Sequence, residues 1–195
     1  PPVMDRVLDV GCGGGAIGFL LKQKGVELVV GVELDPRAAE EARKRLDIVI
    51  EVDIEKAELP FEPGHFDCII FGDILEHLID PWLTLKHLRN YLTSDGAIIC
   101  SLPNVRYYKV VQGLLSGRWE YADEGVLDRT HLRFFTLRSM KEMIKGAGFV
   151  IARIERRIVT GPKADLIHKL TCGCLADFFT KQYLILARNS PTEFE

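Results

Sequence analysis

The run Arg6-Val7-Leu8-Asp9-Val10-Gly11-Cys12-Gly13-Gly14-Gly15 constrains the fold more than any other part of the chain. Val7, Leu8 and Val10 make a short apolar strand without polar alternation, the pattern of a parallel sheet covered on both faces. The glycines after it permit a tight turn with positive φ. Ala16-Ile17-Gly18-Phe19-Leu20-Leu21 then continues as a helix whose first N–H groups lack intrahelical acceptors. A strand, glycine turn and helix in this order bring backbone close to a ligand and favour a nucleotide-like cofactor. A turn needed only for packing helix on sheet is the alternative.

The same alternation repeats along the chain. Gly25 ends the first helix, and Leu28–Glu33 is a second buried strand. Asp35 and Pro36 supply the cap and first turn of a helix over Arg37–Leu46. Ile48–Val52 is a third strand ending at Asp53-Ile54, and Phe66–Phe71 a fourth, running into Gly72-Asp73-Ile74-Leu75-Glu76-His77. Asp80 and Pro81 start another helix, with Leu83, Leu85, Leu88, Tyr91 and Leu92 as its buried side. Thr93–Gly96 reads as a turn and Ala97–Leu102 as a fifth strand. Thr136 caps a helix to Ala147 with Leu137, Met140, Ile144 and Ala147 inward, and Phe149–Ile154 is strand six. Residues 161–181 read as a helical insertion ahead of strand seven, Gln182–Arg188. Short apolar strands alternating with helices predict an α/β sandwich.

Composition excludes several classes. With 195 residues, 47% apolar and 27% charged, a single folded domain over 1–195 is expected rather than a disordered chain. A net charge of -3 supplies no overall cationic field, so nucleic acid is not an expected partner. No apolar run reaches membrane-spanning length, so no stable membrane insertion is expected. The five cysteines are odd in number, and Cys12, Cys68 and Cys100 fall in the turn or on strands, which points to a reducing, cytoplasmic setting. Cys172-Gly173-Cys174 has one intervening residue and no second pair, and no metal site is expected. His65 is expected to be solvated.

Gly13–Gly18 formally satisfies G-x-G-x-x-G, and Glu33 lies where an acid can accept hydrogen bonds from ribose hydroxyls. A nicotinamide dehydrogenase therefore remains open on these residues alone. The wording Asp9-Val10-Gly11-Cys12-Gly13, Leu59-Pro60-Phe61 ahead of Asp67, the stretch Asp67–His77 and the Gly148-Phe149 pair together resemble the class I S-adenosylmethionine-dependent methyltransferases. The resemblance implies a Rossmann-like, seven-stranded, mostly parallel sheet in the order 3-2-1-4-5-7-6 with the last strand antiparallel. It implies S-adenosylmethionine as cofactor, leaving as S-adenosylhomocysteine. The residues implied to bind it are Asp9, Gly11, Cys12, Gly13, Gly15, Glu33, Leu34, Asp53, Ile54, Phe71, Gly72 and Asp73. Helices that such enzymes carry ahead of the first strand are expected to be absent.

Between strands five and six the chain departs from a minimal domain of this kind. Val105–Leu115 is expected to be helical and Ser116–Gly125 a loop, within a lid or substrate-binding insertion over 104–135. Tyr107, Tyr108 and Trp119 offer apolar surface with polar handles, and Arg129 and Arg133 offer charge for an anionic substrate. Val126–Thr136 resembles a bacterial and archaeal subgroup that often accompanies glycan or surface-polymer biosynthesis. His131 is the candidate base, Asp128 its orienting acid, and His77 a further catalytic or pocket-floor residue. The implied reaction is in-line methyl transfer to an oxygen, or in second place a nitrogen, of a small-molecule or glycan-intermediate acceptor. A homodimer is the partner expectation, and a non-catalytic cofactor-binding scaffold the alternative function.

Overall fold

The computed structural model describes residues 4–158 and 175–189. Its strands are β1 (Arg6–Val10), β2 (Leu28–Glu33), β3 (Ile48–Glu51), β4 (Phe66–Gly72), β5 (Leu92–Pro103), β6 (Phe149–Ile158) and β7 (Thr180–Asn189). The helices are α1 (Ala16–Gln23), α2 (Pro36–Arg43), α3 (Pro81–Arg89), α4 (Tyr108–Leu115), α5 (Leu137–Gly146) and the short α6 (Ala176–Phe179). The strands form one sheet in the order β3-β2-β1-β4-β5-β7-β6, with β7 antiparallel to both neighbours and the other pairs parallel. The α/β sandwich and the strand order implied by the resemblance are both present. No described helix is long and apolar enough to cross a membrane.

Strand alternation explains how the sheet is covered. Val7, Val29, Cys68 and Ile70 point to one face, where Ala42 of α2 and Leu46 pack on them. Leu8, Val10, Val30, Val32, Ile69 and Phe71 point to the other face, under Leu85 and Leu88 of α3 and Met140, Met143 and Ile144 of α5. The chain runs outward from β1 to β3 with its crossover helices on one face, then returns to β4 and β5 with helices on the other. Right-handed crossovers require this change of face when the direction reverses. The reversal opens a crevice at the carboxyl ends of β1 and β4, the usual ligand position of such a sheet.

Local chemistry fixes the helix starts. The Asp35 carboxylate accepts from Arg37 N and Ala38 N, and Asp80 from Leu83 N. Thr136 and Ser139 form a reciprocal capping box on α5. Other expectations are corrected. Leu83 is 61% exposed, because α3 turns it outward while Leu85 and Leu88 face the sheet. Thr93–Gly96 belongs to β5, which absorbs a register shift against β4 between Phe66 and Cys68. The helix expected from Val105 begins at Tyr108. Asn104 Oδ1 accepts from Arg106 N, and Val105 N donates to Phe135 O, so the backbone is committed elsewhere. Strand six extends to Ile158. His65 is not solvated but half-buried, stacked on Phe61 and edge-on to Phe66. Much of the 161–181 helical expectation, with Cys172 and Cys174, lies outside the described residues. Within them it is one turn, Ala176–Phe179, and β7 has begun by Thr180.

Gly18 sets the spacing of α1 on the sheet. A Cβ there would lie 2.4 Å from Leu46 Cδ2 and 2.9 Å from Val29 Cγ1. Gly18→Ala is therefore expected to lower stability by about 1–3 kcal/mol through overpacking, read as a lower urea midpoint with an unchanged denaturant slope.

Candidate active site

The glycine turn is fastened to β2. Gly11 N and Cys12 N both donate to Val32 O, at 2.8 and 3.1 Å, and Gly15 N closes back to Cys12 O at 2.9 Å. Gly13 has φ +53° and no atom within 4 Å of where a Cβ would stand, so this part of the turn borders open space. Its N–H donates to Glu33 Oε2 at 2.8 Å, while Glu33 Oε1 accepts from Leu34 N and Asp35 N at 2.9 Å each. A carboxylate offers about four acceptor positions, and three are in use. One remains for a ligand hydroxyl, and a second becomes available when the Gly13 bond opens.

Asp9 lies beneath the turn, 1% exposed, with Oδ2 lacking a partner. Burial, with the Glu33 charge adding, pushes its carboxyl up to about 7, against a hydrogen bond from the Gly18 backbone. Burial likewise raises the Cys12 thiol to about 12, helped by Asp9 and Glu33, so Cys12 is a packing residue rather than a nucleophile. Asp53 follows β3, where Val52 N bonds to Glu33 O. Its carboxylate accepts from Glu55 N at 3.1 Å and pairs with Lys56 at 2.7 Å. Ile54 is buried in the core, and Leu34 is 65% exposed. Phe71 is fully buried at the end of β4, and Ile74 packs so closely on Gly11 that a Cβ there would meet it at 2.7 Å. The structure thus brings Asp9, Gly11–Gly15 and Glu33 into one cluster, with Asp53 on one side and Gly72 and Asp73 on the other.

A cavity of about 270 Å³ lies on the β4 side, lined by Asp73, Glu76, His77, Asp128, His131 and Gln182 among others. Asp73 has φ +55°, the one non-glycine positive value among the described residues. Its strained backbone is held through Oδ1, which accepts from Ser101 Oγ at 2.8 Å and from Gln182 Nε2. Nδ1 of His131 lies 3.2 Å from Val126 O, and Nδ1 of His77 3.2 Å from Thr130 O. The two rings meet edge to face at 4.8 Å. Burial holds the His131 pKa below its ordinary value, and His77 adds to this, so the ring is neutral at neutral pH. Asp128 does not hold the His131 ring. It accepts from Thr130 N and Oγ1, and Val126 O orients the imidazole.

The expected substrate residues divide. Tyr107 is buried with Val110 and Val126, and lines a second cavity of about 710 Å³ that shares Gly125, Val126 and Lys181 with the first. Tyr108 packs on Tyr107 and Phe179, and Trp119 meets Phe134 edge-on. Arg129 pairs with Asp123 at 2.7 Å, and the Arg133 guanidinium donates to Ile79 O. Both cations are engaged with the protein itself. Sequence reasoning missed Ser101 and Gln182, which reach the site because antiparallel β7 starts at the edge where β5 ends. No local motif marks either.

The family described as "Methyltransferase domain" matches residues 2–154. Among curated proteins, the ribosomal protein L11 methyltransferase of Thermosipho africanus is 36% identical over 60% of this chain and 47% of its own length. The ubiquinone biosynthesis O-methyltransferase of Neisseria meningitidis is 27% identical over 75% of this chain and 64% of its own. The chain therefore spans about half to two-thirds of these relatives. Among solved structures, a SAM-dependent methyltransferase from Archaeoglobus fulgidus superposes with a TM-score of 0.70 at 18% identity, covering 96% of this chain and 87% of that one. That likeness confirms the fold.

The buried acids set a pH dependence. Asp9 holds its proton more tightly when folded, so stability falls as pH rises from 3.8 towards about 7. Glu76, raised from 4.5 to about 8 by burial, extends the fall. The Asp9→Asn variant, which keeps the Glu76 contribution, is expected to lose less stability than the parent between pH 5 and pH 7, measured by urea unfolding at both.

Proposed function

The chain belongs to the methyltransferase-domain family, and on that premise we propose that it transfers a methyl group from S-adenosylmethionine to a hydroxyl oxygen of a small-molecule acceptor. The observation that carries this is the adjacency of two unlike halves at one sheet edge. One is a glycine turn closed by Glu33, and the other a cavity holding a neutral imidazole.

The first half fits the cofactor. Gly13 leaves space at the turn, Glu33 keeps an acceptor position for a ribose hydroxyl, and Asp53 ends the neighbouring strand. The charge of Glu33 helps raise the Asp9 carboxyl, and the α-ammonium of the cofactor's methionine end beside them would relieve that repulsion. Bound S-adenosylmethionine supplies a methyl group made electrophilic by its sulfonium.

In the second half, a backbone carbonyl only accepts, so Nδ1 of His131 carries the proton and Nε2 presents a lone pair. Nε2 takes the acceptor's hydroxyl proton as the oxygen attacks. Asp73, with Oδ1 engaged by Ser101 and Gln182, orients the hydroxyl through its other oxygen. Tyr107 and the larger cavity take the rest of the acceptor, and 104–135 acts as the lid that excludes water. The small volume beside His131 suits a small molecule, and a glycan intermediate is supported by the resemblance of Val126–Thr136 to the surface-polymer subgroup.

Glu33→Ala is expected to weaken S-adenosylmethionine binding at least about tenfold by calorimetry, the loss of a charge-assisted hydrogen bond. His131→Gln is expected to lower the release of S-adenosylhomocysteine with hydroxyl acceptors while leaving cofactor affinity unchanged. Equal turnover in His131→Gln, or unchanged affinity in Glu33→Ala, contradicts the assignment.

A further inference from the structure

Glu76 is used by nothing described so far, yet its position is costly. Its side chain is 1% exposed, Oε2 has no hydrogen-bond partner, and Oε1 lies 3.9 Å from His131 Nε2, beyond hydrogen-bond reach. A buried carboxylate left this way is unfavourable unless something supplies positive charge or a proton. Glu76 is not there for lack of an alternative route for the backbone. Its carbonyl accepts from both Leu132 N and Arg133 N, so the short helical turn Leu75–His77 is stitched to the loop that carries His131.

We infer that Glu76, His77 and His131 form a binding site for one divalent transition-metal ion of the zinc class, with a fourth position open to the cavity. Ligand atoms of the three residues all lie within 4.8 Å of one another. A tetrahedral ion with bonds of about 2.0–2.1 Å holds neighbouring ligand atoms about 3.4 Å apart, so side-chain rotations closing the widest pair by up to about 1.4 Å complete it. Two histidines and one carboxylate are the ligand types of zinc sites that keep an open position.

The histidines are already set for ligation. Nδ1 of each ring lies 3.2 Å from a backbone carbonyl, Val126 O for His131 and Thr130 O for His77. The carbonyls fix the proton on Nδ1 and leave Nε2 bare, the support that metal-bound imidazoles ordinarily have. An ion also supplies the positive charge that Glu76 lacks. The cavity against the three residues is lined by Asp73 and Asp128 and also by Arg157 and Lys181, so the preference for a cation rests on the three ligand side chains themselves. Sequence reasoning expected no metal from the cysteine spacing, and Glu76-His77 by itself gives only two ligands, the third sitting on a separate loop.

The ion site stands on its own geometry. The base role of His131 belongs to the ion-free site of the methyl-transfer proposal: with an ion bound, His131 Nε2 would be a ligand and would take no proton.

The test is titration of the chelator-treated chain with Zn²⁺, and separately with Co²⁺ followed by visible absorbance. One equivalent is expected to bind, with the absorbance of a tetrahedral nitrogen–oxygen site. His77→Ala, His131→Ala and the milder Glu76→Gln are each expected to weaken binding by about 100-fold or more, beyond the effect of losing an outer support. Calorimetric binding of S-adenosylhomocysteine by each variant reports separately that the fold and the cofactor half persist. Retained cofactor binding without metal binding by the parent overturns the ion site and leaves the methyl-transfer proposal standing. Equal metal affinity in parent and variants places the ion elsewhere, a near-ultraviolet thiolate-to-cobalt band places it on cysteines, and either overturns it.

Discussion

Three backbone N–H groups converge on the Glu33 carboxylate, from Gly13, Leu34 and Asp35. That junction joins the end of β2 to the glycine turn after β1, and the start of α2 depends on the same short stretch. Without it, the turn would present the unsatisfied N–H of Gly13 to the crevice, and Leu34 and Asp35 would lose their acceptor where the chain changes direction. Asp35 then caps α2, so one carboxylate holds the strand end and the next starts the helix. The bonds are charge-assisted, stronger than bonds between neutral groups. Every other feature of the candidate cofactor half is placed relative to it.

The second half of the edge is built on the opposite principle. Around Glu33, charge is matched by donors. At Asp9 and Glu76 one oxygen of each carboxyl has no partner, and burial raises both groups far above their ordinary values. Two buried acids with unpaired oxygens, one under each half of the site, are unfavourable for folding by themselves. Their position beneath the crevice, rather than elsewhere in the core, ties that cost to whatever the crevice binds. Asp73 adds backbone strain at the same edge, held by Ser101 and Gln182 from two further strands. Stability has been given up where three elements meet a ligand-sized space.

The parts legible in the sequence were those decided locally. Asp35-Pro36, Asp80-Pro81 and Thr136 cap their helices as their side-chain chemistry requires, and the apolar runs Val7–Val10, Leu28–Val32 and Phe66–Phe71 became central strands. Glu33 was legible because its spacing from the glycine turn is fixed by one strand-helix-strand unit. What was not legible was which groups each side chain would meet in the folded chain. Arg133 and Arg129 read as cations for a substrate, and in the structure they bond to Ile79 O and Asp123. Asp128 read as the partner of His131 but bonds to Thr130, because a two-residue turn offers a nearer donor. Glu76 carried no role in the sequence, and only tertiary packing of its turn against the 126–133 loop shows it enclosed with two histidines. Ser101 and Gln182 had no signal, since it takes the antiparallel pairing of β5 and β7 to bring them together.

The most direct measurement is backbone hydrogen exchange with and without S-adenosylhomocysteine. Binding at the glycine turn predicts added protection at residues 11–15 and 33–35, where the N–H groups of Gly13, Leu34 and Asp35 meet Glu33, with a smaller change at 72–73. Protection confined to the 104–135 segment, or none at the turn under saturating ligand, contradicts the assignment of this edge as the cofactor site.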